Sequence, residues 1–171
     1  MTPPVTPSTR RFRVVDSPIG PLTLTWDDER DAVVGVHVHD QREREPDPAF
    51  GVPDDGACAG LDALAAELDE YFAGERERFS VPVDPPGTAF SRAVWAALAE
   101  VPYGSVTTYG ALAAAVGKPR AAQAVGTANA RNPVSLLVPC HRVVNAAGEP
   151  SGGGPGIARK RLLLALERRT P

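Results

Sequence analysis

Cysteine is scarce in this chain: Cys58 and Cys140 are the two among 171 residues. Two cysteines do not make a disulfide framework, so a reducing compartment, the cytoplasm, is expected. Long apolar runs are absent as well, because no stretch approaches the roughly 18 residues that span a bilayer. Residues 1–10 are rich in proline and threonine and lack an apolar segment. We therefore expect neither a signal peptide nor a membrane-spanning helix.

Acidic residues are scarce in the second half of the chain. Residues 86–171 hold three Asp or Glu against ten Lys or Arg, a net charge of +7, whereas residues 1–85 have a net charge of −10. The overall net charge of −3 conceals this asymmetry. The pattern favours a second half that binds a polyanion, although two oppositely charged halves that attract each other would show it too.

The first half shows the alternation of apolar and polar residues that is typical of β-strands. It predicts a small antiparallel sheet with strands at 11–15, 22–26 and 32–38. His37 and His39 share one face of the third strand, which is one way to begin a metal site. Two histidines without further ligands are weak evidence, so we interpret them as surface or edge residues and expect no metal.

Three further segments complete the first half. Residues 41–56 are charged and proline-rich and predict a loop. The apolar spacing of residues 57–73 predicts an amphipathic helix that packs on the sheet, with Gly74 at its end. A short strand is expected at 79–83.

The second half has the capping signals of three successive helices. They are expected at 89–100 after Thr88, at 109–116 after Thr108, and at 119–130 from Pro119. The last two are joined by a short turn with a glycine, which predicts a helix-turn-helix. A basic helix at 157–168 closes the chain, with Leu162, Leu163 and Leu166 expected to pack inward.

The predicted fold class is therefore α+β. An N-terminal α/β domain of residues 1–85 holds the small antiparallel sheet and a helix. A C-terminal helical domain of residues 86–171 holds the helix-turn-helix. The boundary is placed at the prolines and glycine of residues 85–87, because these residues interrupt both helices and strands.

The second helix of the helix-turn-helix has small side chains where proteins that read the major groove have long ones. Its sequence contains Arg120, Ala121, Ala122, Gln123, Ala124, Gly126, Thr127, Ala128 and Asn129. Small residues let a helix backbone approach a narrow minor groove, and they offer little base readout. They equally suit a helix packed tightly on its neighbour, and the pattern alone does not separate the two.

Cys140 follows an apolar run and a proline within the segment from Asn132 to Val144. Cysteine is nucleophilic as the thiolate, and its usual pKa is about 8.5, so a partner must take its proton. Neighbouring side chains in an extended segment point to opposite faces, so contact with His141 needs a turn or a bridging water. Arg142 adds positive charge, and Glu167 on the last predicted helix could orient His141. A small, buried, unreactive cysteine is the alternative that these residues leave open.

The sequence Pro139-Cys140-His141-Arg142-Val143 resembles the active-site motif of the DNA alkyltransferases that repair O6-alkylated guanine. Its context supports the resemblance. Tyr103 to Gly110 and Asn132-Pro133 precede the motif, and Gly152-Gly153-Gly154 and Arg159 to Leu163 follow it. The resemblance covers about residues 88–167 and extends more weakly into the first half.

The resemblance implies transfer of an alkyl group from guanine O6 to Cys140. In the family, a histidine reaches the cysteine through a water and a glutamate holds the histidine, and His141 and Glu167 match these positions. Tyr109 matches the tyrosine that donates to the base, and Asn132 matches the asparagine that braces the turn. The target atom lies inside a duplex, so the base has to be flipped out.

The resemblance also assigns residues to a substrate pocket and to a DNA-binding helix. The pocket residues are Tyr109, Val143, Gly153, Gly154 and Lys160. The residues that face DNA are Arg120, Gln123, Ala124, Gly126, Thr127, Asn129 and Arg131. It further implies a monomer that binds double-stranded DNA in the minor groove, reacts once, and uses neither a metal nor a cofactor.

Two positions depart from the family pattern. Gln123 stands where the family usually has an arginine that fills the gap left by the flipped base. Pro150-Ser151 stands where an aromatic residue usually precedes the pocket glycines. Glutamine lacks the charge and the stacking plane of arginine, which favours weaker flipping. Three other functions remain open: an alkyltransferase of a non-duplex substrate, a non-catalytic protein that binds alkylated DNA, and a cysteine hydrolase.

Overall fold

The first half of the chain forms a four-stranded sheet in the computed structural model, which describes residues 9–38, 50–151 and 155–169. The strands are β1 (Arg10–Val15), β2 (Leu22–Asp27), β3 (Ala32–Val38) and β4 (Val52–Pro53), in the order β3-β2-β1-β4. The first three pair antiparallel, and β4 lies parallel to β1. The prediction of a loop at 41–56 is wrong for β4, because two residues are too few to show any periodicity.

Helix α1 (Ala59–Phe72) packs on this sheet, as its apolar spacing predicts. Its inward side chains Leu61, Leu64 and Leu68 are buried in a core that continues into the second half of the chain. Gly74 follows with a φ of 76°, a left-handed conformation that glycine adopts without strain and that ends helices.

The strand expected at 79–83 does not form. Val83 alone makes a bridge to β3. The backbone N–H groups of Ser80 and Val81 donate instead to the buried carboxylate of Glu67, at 3.0 and 3.4 Å from Oε2. The Glu67 side chain thus occupies the backbone N–H groups that would have paired with a neighbouring strand. The segment is an irregular connection that hydrogen bonds to α1 hold in place.

The second half is helical and contains the predicted helix-turn-helix, so the α+β fold class is confirmed. Its helices are α2 (Ala89–Ala99), α3 (Tyr109–Ala115), α4 (Ala122–Ala130) and α5 (Pro155–Arg169). Thr88 and Thr108 cap α2 and α3 as predicted, each accepting a 3.1 Å hydrogen bond, from the N–H of Ser91 and of Ala111 respectively. Within the described ranges, no helix has the length and apolar character needed to cross a membrane.

The start of α4 differs from the prediction. The helix begins at Ala122 rather than Pro119. The preceding residues continue the turn, because the N–H of Ala121 bonds the carbonyl of Lys118 at 2.9 Å. The proline therefore shapes the turn and not the first position of the helix.

The last helix, α5, is longer and rotated relative to the prediction. It begins at Pro155, two residues before the expected start. Leu162 was expected to pack inward but is 43% exposed, whereas Leu163 and Leu164 are buried. A run of three leucines does not by itself define which side of the helix meets the core.

Strand β3 joins the two halves, because its edge pairs with the segment that precedes the cysteine motif. The N–H of Val36 donates to the carbonyl of Pro133 at 2.9 Å, and the N–H of Ser135 donates to the carbonyl of Val36 at 3.2 Å. A second ladder, which the sequence did not predict, pairs β5 (Thr107–Thr108) with β6 (Val143–Val144). The two ladders hold the motif on both sides.

Candidate active site and DNA-binding surface

The segment that leads to Cys140 changes direction sharply. Leu136 has a φ of 74°, a conformation that costs energy for a residue with a side chain. Pro139, with φ −80° and ψ 70°, forms an inverse γ-turn closed by a 2.8 Å bond from the Cys140 N–H to the Val138 carbonyl. A single turn of 3₁₀ helix, Cys140–Arg142, follows directly. The chain thus has the turn that the sequence argument required.

Asn132 braces this segment. Its Nδ2 donates to the carbonyl of Val138 at 2.8 Å, and its Oδ1 accepts from the N–H of Val134 at 3.0 Å. One side chain thereby gives the Val134 N–H a partner and adds a second donor to the Val138 carbonyl, which already accepts from the Cys140 N–H. The contribution of Asn132 to a reaction stays a prediction.

His141 and Glu167 form a buried pair, with Nε2 of the histidine 2.7 Å from Oε1 of the glutamate. Burial alone would raise the pKa of Glu167, but hydrogen bonds from His141 and Arg142 outweigh it and hold this pKa at about 2. The carboxylate is therefore ionised at neutral pH and accepts the Nε2 proton. Burial lowers the pKa of His141 below 6.5 in spite of the carboxylate. The imidazole is thus neutral at pH 7, with Nδ1 unprotonated.

Two further side chains bond Glu167, and the sequence revealed neither role. Arg142 donates from Nε to Oε2 at 3.0 Å and from Nη2 to Oε1 at 2.9 Å, while its Nη1 donates to the carbonyl of Val101 at 2.7 Å. Tyr71 of α1 donates its hydroxyl to Oε1 at 2.9 Å. The position of Arg142 next to His141 in the sequence could have predicted that Arg142 also contacts Glu167. Tyr71 lies 96 residues from Glu167, and no local pattern connects them.

Cys140 lines a cavity of about 550 Å³ between the sheet and the helices. The thiol is half-buried, and no side chain of the described residues makes a hydrogen bond to it. Tyr109 also lines the cavity, with its hydroxyl 2.8 Å from Oγ of Ser151, and Lys160 donates to the Ser151 carbonyl at 3.0 Å. Residues of both halves contribute, among them Ile19, His37, Val38, Asn129, Asn132 and His141. The cavity therefore combines a thiol with several hydrogen-bonding groups.

Not every predicted pocket residue lies where it was expected. Tyr109 and Lys160 line the cavity. The side chain of Val143 is fully buried in β6 and does not line it, so that prediction is wrong for the side chain. A strand position paired on one edge and packed into the core leaves Val143 no open face. Gly153 and Gly154 lie outside the described residues.

The histidines of β3 have different outcomes. His37 lies on an edge strand, as interpreted, but its half-buried ring lines the cavity and stacks on Phe50, with 5.1 Å between ring centroids. His39 lies outside the described residues. Ser151 also lines the cavity and contacts both Tyr109 and Lys160. The sequence did not predict this contact role and indicated only that Pro150-Ser151 lacks the aromatic residue usual in the family.

One face of α4 is exposed, as binding to DNA would require. Gln123, Ala124 and Thr127 are exposed on it, and Arg120 and Arg131 are exposed just before and just after the helix. Gln123, Thr127 and Arg131 line one shallow depression on the outside of the helix. Small residues and two flanking cations together resemble a surface for a narrow, anionic groove.

Asn129, which was predicted to face DNA, lies on the buried face of α4. It is 5% exposed and lines the cavity that contains Cys140. The helical period explains the difference, because Asn129 follows the fully buried Val125 by four positions and so lies on the same side of the helix. The residue can contact a group inside the cavity but not one outside the helix.

The exposed face of α4 and the cavity share three lining residues. Tyr109, Gly126 and Ala130 line both the cavity and a shallow depression on the outside of the helix. Gly126 has no side chain, and a Cβ there would meet the Tyr109 ring at 3.7 Å. The boundary between the two spaces is therefore formed by small residues and one aromatic ring.

Comparison with known protein families accounts for nearly the whole chain. Residues 89–169 match the model of the 6-O-methylguanine DNA methyltransferase DNA-binding domain, and residues 11–85 match that of the 6-O-methylguanine DNA methyltransferase ribonuclease-like domain. The chain belongs to the 6-O-methylguanine DNA methyltransferase family. The resemblance drawn from the motif around Cys140 is thereby confirmed.

Relatives in this family match along almost their full length. The methylated-DNA–protein-cysteine methyltransferase of Mycobacterium tuberculosis is 45% identical over 157 residues, 92% of each chain. That of Methanosarcina acetivorans is 40% identical over 156 residues, 91% of this chain and 97% of the relative. The structure of Mycobacterium tuberculosis O6-methylguanine methyltransferase is similar with a TM-score of 0.84, at 42% identity over 95% of this chain and 94% of that one. The structure of OGT from the same organism in complex with DNA has a TM-score of 0.81, at 43% identity over 92% of each chain.

Proposed function

We propose that this member of the family repairs DNA by moving the alkyl group of O6-alkylguanine to the Sγ atom of Cys140. The observation that carries the proposal is the shared cavity of Cys140 and His141, whose tautomer is set by the buried Glu167. The names of the relatives, methylated-DNA–protein-cysteine methyltransferases, describe the same reaction class.

The proposed reaction begins with removal of the thiol proton. A water passes this proton from Cys140 to Nδ1 of His141, since Nε2 is already engaged by Glu167. The thiolate attacks the alkyl carbon, the bond between that carbon and O6 breaks, and its electron pair stays with guanine. Tyr109 donates a hydrogen bond to the departing base and stabilises its negative charge. The thioether product has no simple route back to the thiol, so each molecule reacts once.

Double-stranded DNA is proposed to bind along the exposed face of α4. Arg120 and Arg131 contact phosphates, while Gln123 enters the minor groove beside the target base. The flipped base passes Tyr109 and Gly126, which border both the outer depression and the cavity. Asn129, from its buried position, contacts the base after it has entered.

The two domains are proposed to divide support of the site and binding of DNA between them. The acidic domain of residues 1–85 supports the site, and the basic domain of residues 86–171 binds DNA. The protein acts as a monomer. It resides in the cytoplasm, where the unpaired thiols of Cys58 and Cys140 stay reduced.

A mass measurement tests the proposal. The protein is exposed separately to the free base O6-benzylguanine and to a duplex containing O6-methylguanine. We expect a gain of one alkyl group per chain, located on Cys140 by peptide mapping. Cys140→Ala should gain none and still bind DNA, whereas the matched variant Cys58→Ala should react like the wild type.

Each other result selects another function and overturns this one. DNA binding without a gain in mass indicates a non-catalytic binding protein. Repeated turnover of substrate indicates a hydrolase. Reaction with the free base at a normal rate, with none on the duplex, indicates an alkyltransferase of a non-duplex substrate.

A further inference from the structure

We propose that Tyr71, in the first half of the chain, is a positioning residue for alkyl transfer, because its hydroxyl controls how strongly Glu167 holds His141. This inference rests on the proposed function. The contact crosses the molecule from α1 to α5, with the Tyr71 hydroxyl 2.9 Å from Oε1 of Glu167. Nothing in the family resemblance or in the names of the relatives assigns this role to Tyr71.

The same carboxylate oxygen accepts hydrogen bonds from three side chains. Oε1 of Glu167 accepts from His141 Nε2 at 2.7 Å, from Arg142 Nη2 at 2.9 Å and from the Tyr71 hydroxyl. Among the described residues of the first half, Tyr71 is the one donor to this carboxylate. Each donor draws on the same negative charge, so the loss of one strengthens the bonds of the others.

Tyr71 is held firmly in this position. It is 1% exposed, and its ring packs against Phe79 and Tyr103 at centroid distances of 5.5 and 6.2 Å. The guanidinium of Arg142 lies 5.7 Å from the centroid of the Tyr103 ring, so the aromatic cluster supports both donors. Burial, and the neighbouring carboxylate of Glu167, raise the pKa of Tyr71, so its hydroxyl remains a neutral donor throughout the working pH range.

Removal of the Tyr71 hydroxyl has a specific chemical consequence. In Tyr71→Phe the aromatic ring remains, but Oε1 of Glu167 loses one donor. The carboxylate then attracts the proton of His141 more strongly, which stabilises the imidazolium form. His141 becomes protonated at a higher pH and ceases to accept the proton of the thiol there. A packing defect alone would lower the rate without moving this titration.

The other groups near the relay are unchanged by this substitution. Among the described residues, the titratable and charged side chains that contact His141 or Tyr71, or share the cavity with His141, are His37, Tyr103, Tyr109, Cys140, Arg142, Arg159, Lys160 and Glu167. Because all of them remain in Tyr71→Phe, a shift in the pH dependence reports the lost hydroxyl.

The test measures the rate of Cys140 alkylation by free O6-benzylguanine across the pH range in which the protein stays folded. For Tyr71→Phe we expect the acid limb of the profile to move to higher pH. At a fixed pH on this limb we expect the rate to fall about threefold to tenfold, the equivalent of one hydrogen bond, and we expect the difference to shrink as the pH rises toward neutral. Phe79→Leu is the matched control, because it disturbs the same aromatic cluster and removes no donor. Its acid limb should coincide with that of the wild type.

A profile of Tyr71→Phe that superimposes on the wild type overturns the inference. So does an equal loss of rate in Tyr71→Phe and Phe79→Leu with unmoved acid limbs. If Tyr71→Phe does not fold, 3-fluorotyrosine at position 71 provides a stronger donor, and its acid limb should move to lower pH; an unmoved limb contradicts the role. If the wild type gains an alkyl group neither from O6-benzylguanine nor from the methylated duplex, the proposed function fails. NMR titration of His141 in wild type and Tyr71→Phe then still tests the contact.

Discussion

Nε2 of His141 lies 2.7 Å from Oε1 of Glu167, and neither side chain exposes more than 3% of its surface. The two residues are 26 positions apart and reach each other because the 3₁₀ turn after Pro139 directs the histidine toward α5. This contact determines which nitrogen of the imidazole carries the proton. It therefore determines which nitrogen is available as a base for Cys140, and the first prediction follows from it.

The His141 imidazole should still accept the thiol proton, and so support alkyl transfer, at pH values just below 6.5. Burial depresses the pKa of this histidine from its usual 6.5, so the ring stays neutral until the pH has fallen through the lowered value. Below that point the imidazolium no longer accepts the thiol proton, and the rate falls. The measurement is the single-turnover rate with free O6-benzylguanine as a function of pH, with His141→Gln as the control that lacks this limb. An acid limb centred at or above pH 6.5 would contradict the prediction.

Glu167→Gln should destabilise the fold because it leaves the Arg142 guanidinium buried without its counter-charge. Breaking a buried ion pair typically costs about 3–5 kcal/mol of unfolding free energy. Because the pKa of Glu167 is lowered from 4.5 to about 2, its stabilising contribution is fully present above pH 4.5 and is lost as the pH falls toward 2. Denaturant unfolding at several pH values should thus show a difference between the two proteins that shrinks over this interval.

Two further variants support the interpretation of this experiment. Glu149→Gln, at an exposed turn, should leave the unfolding free energy within about 0.5 kcal/mol of the wild type. Glu167→Gln combined with Arg142→Met should recover part of the loss, because the unpaired charge is gone. A double variant less stable than the sum of its parts would mean that the ion pair is not the cause.

Gln123→Arg should accelerate repair of duplex DNA. Gln123 is exposed on α4, and the family resemblance assigns it the place of the arginine that usually fills the gap left by the flipped base. Arginine offers a cation and a stacking plane, and recovery of about 1.4 kcal/mol of flipping energy corresponds to about a tenfold faster reaction. Single-turnover rates at saturating methylated duplex measure this effect, and free O6-benzylguanine should react equally with both proteins.

The neighbouring residue provides the control for added charge. Ala124→Arg places a cation on the same exposed face but not at the position of Gln123. It should increase affinity for DNA and leave the saturated rate unchanged. If it accelerates the reaction as much as Gln123→Arg does, or if Gln123→Arg also accelerates the free base, the placement of α4 in the groove is wrong.

DNA binding should weaken as salt rises, and Arg120 and Arg131 should account for part of this dependence. Each phosphate contact that is lost should lower the slope of log affinity against log salt by about one. Arg120→Ala and Arg131→Ala are compared by fluorescence titration with Arg78→Ala, an exposed cation of the acidic half. Equal effects of all three variants would show that general charge, and not the surface of α4, binds the duplex.

Much of the second half of the chain was predictable from local sequence. Thr88 and Thr108 mark helix starts because a hydroxyl can satisfy a backbone N–H within three residues, a relation that depends on nothing distant. The cysteine motif, and the contrast between an acidic first half and a basic second half, could also be recognised from the sequence alone. The prediction of a strand at 79–83 was wrong because it depended on a more distant contact. Glu67, on a helix that ends seven residues earlier, accepts hydrogen bonds from the backbone N–H groups of Ser80 and Val81.

The sequence by itself indicated the order of the helices and of the first three strands, the caps of α2 and α3, and the Cys140-His141 motif, because these depend on chemical identity and short-range geometry. Tertiary structure decided which side chains meet. It turned Asn129 toward the cavity and not the DNA, paired β3 with the segment before Cys140, and brought Tyr71 to Glu167 across 96 residues. Such contacts arise when two amphipathic surfaces bury their apolar faces together and polar groups between them must find partners or lose stability. The pairing depends on how the whole core packs, and no window of the sequence contains that information.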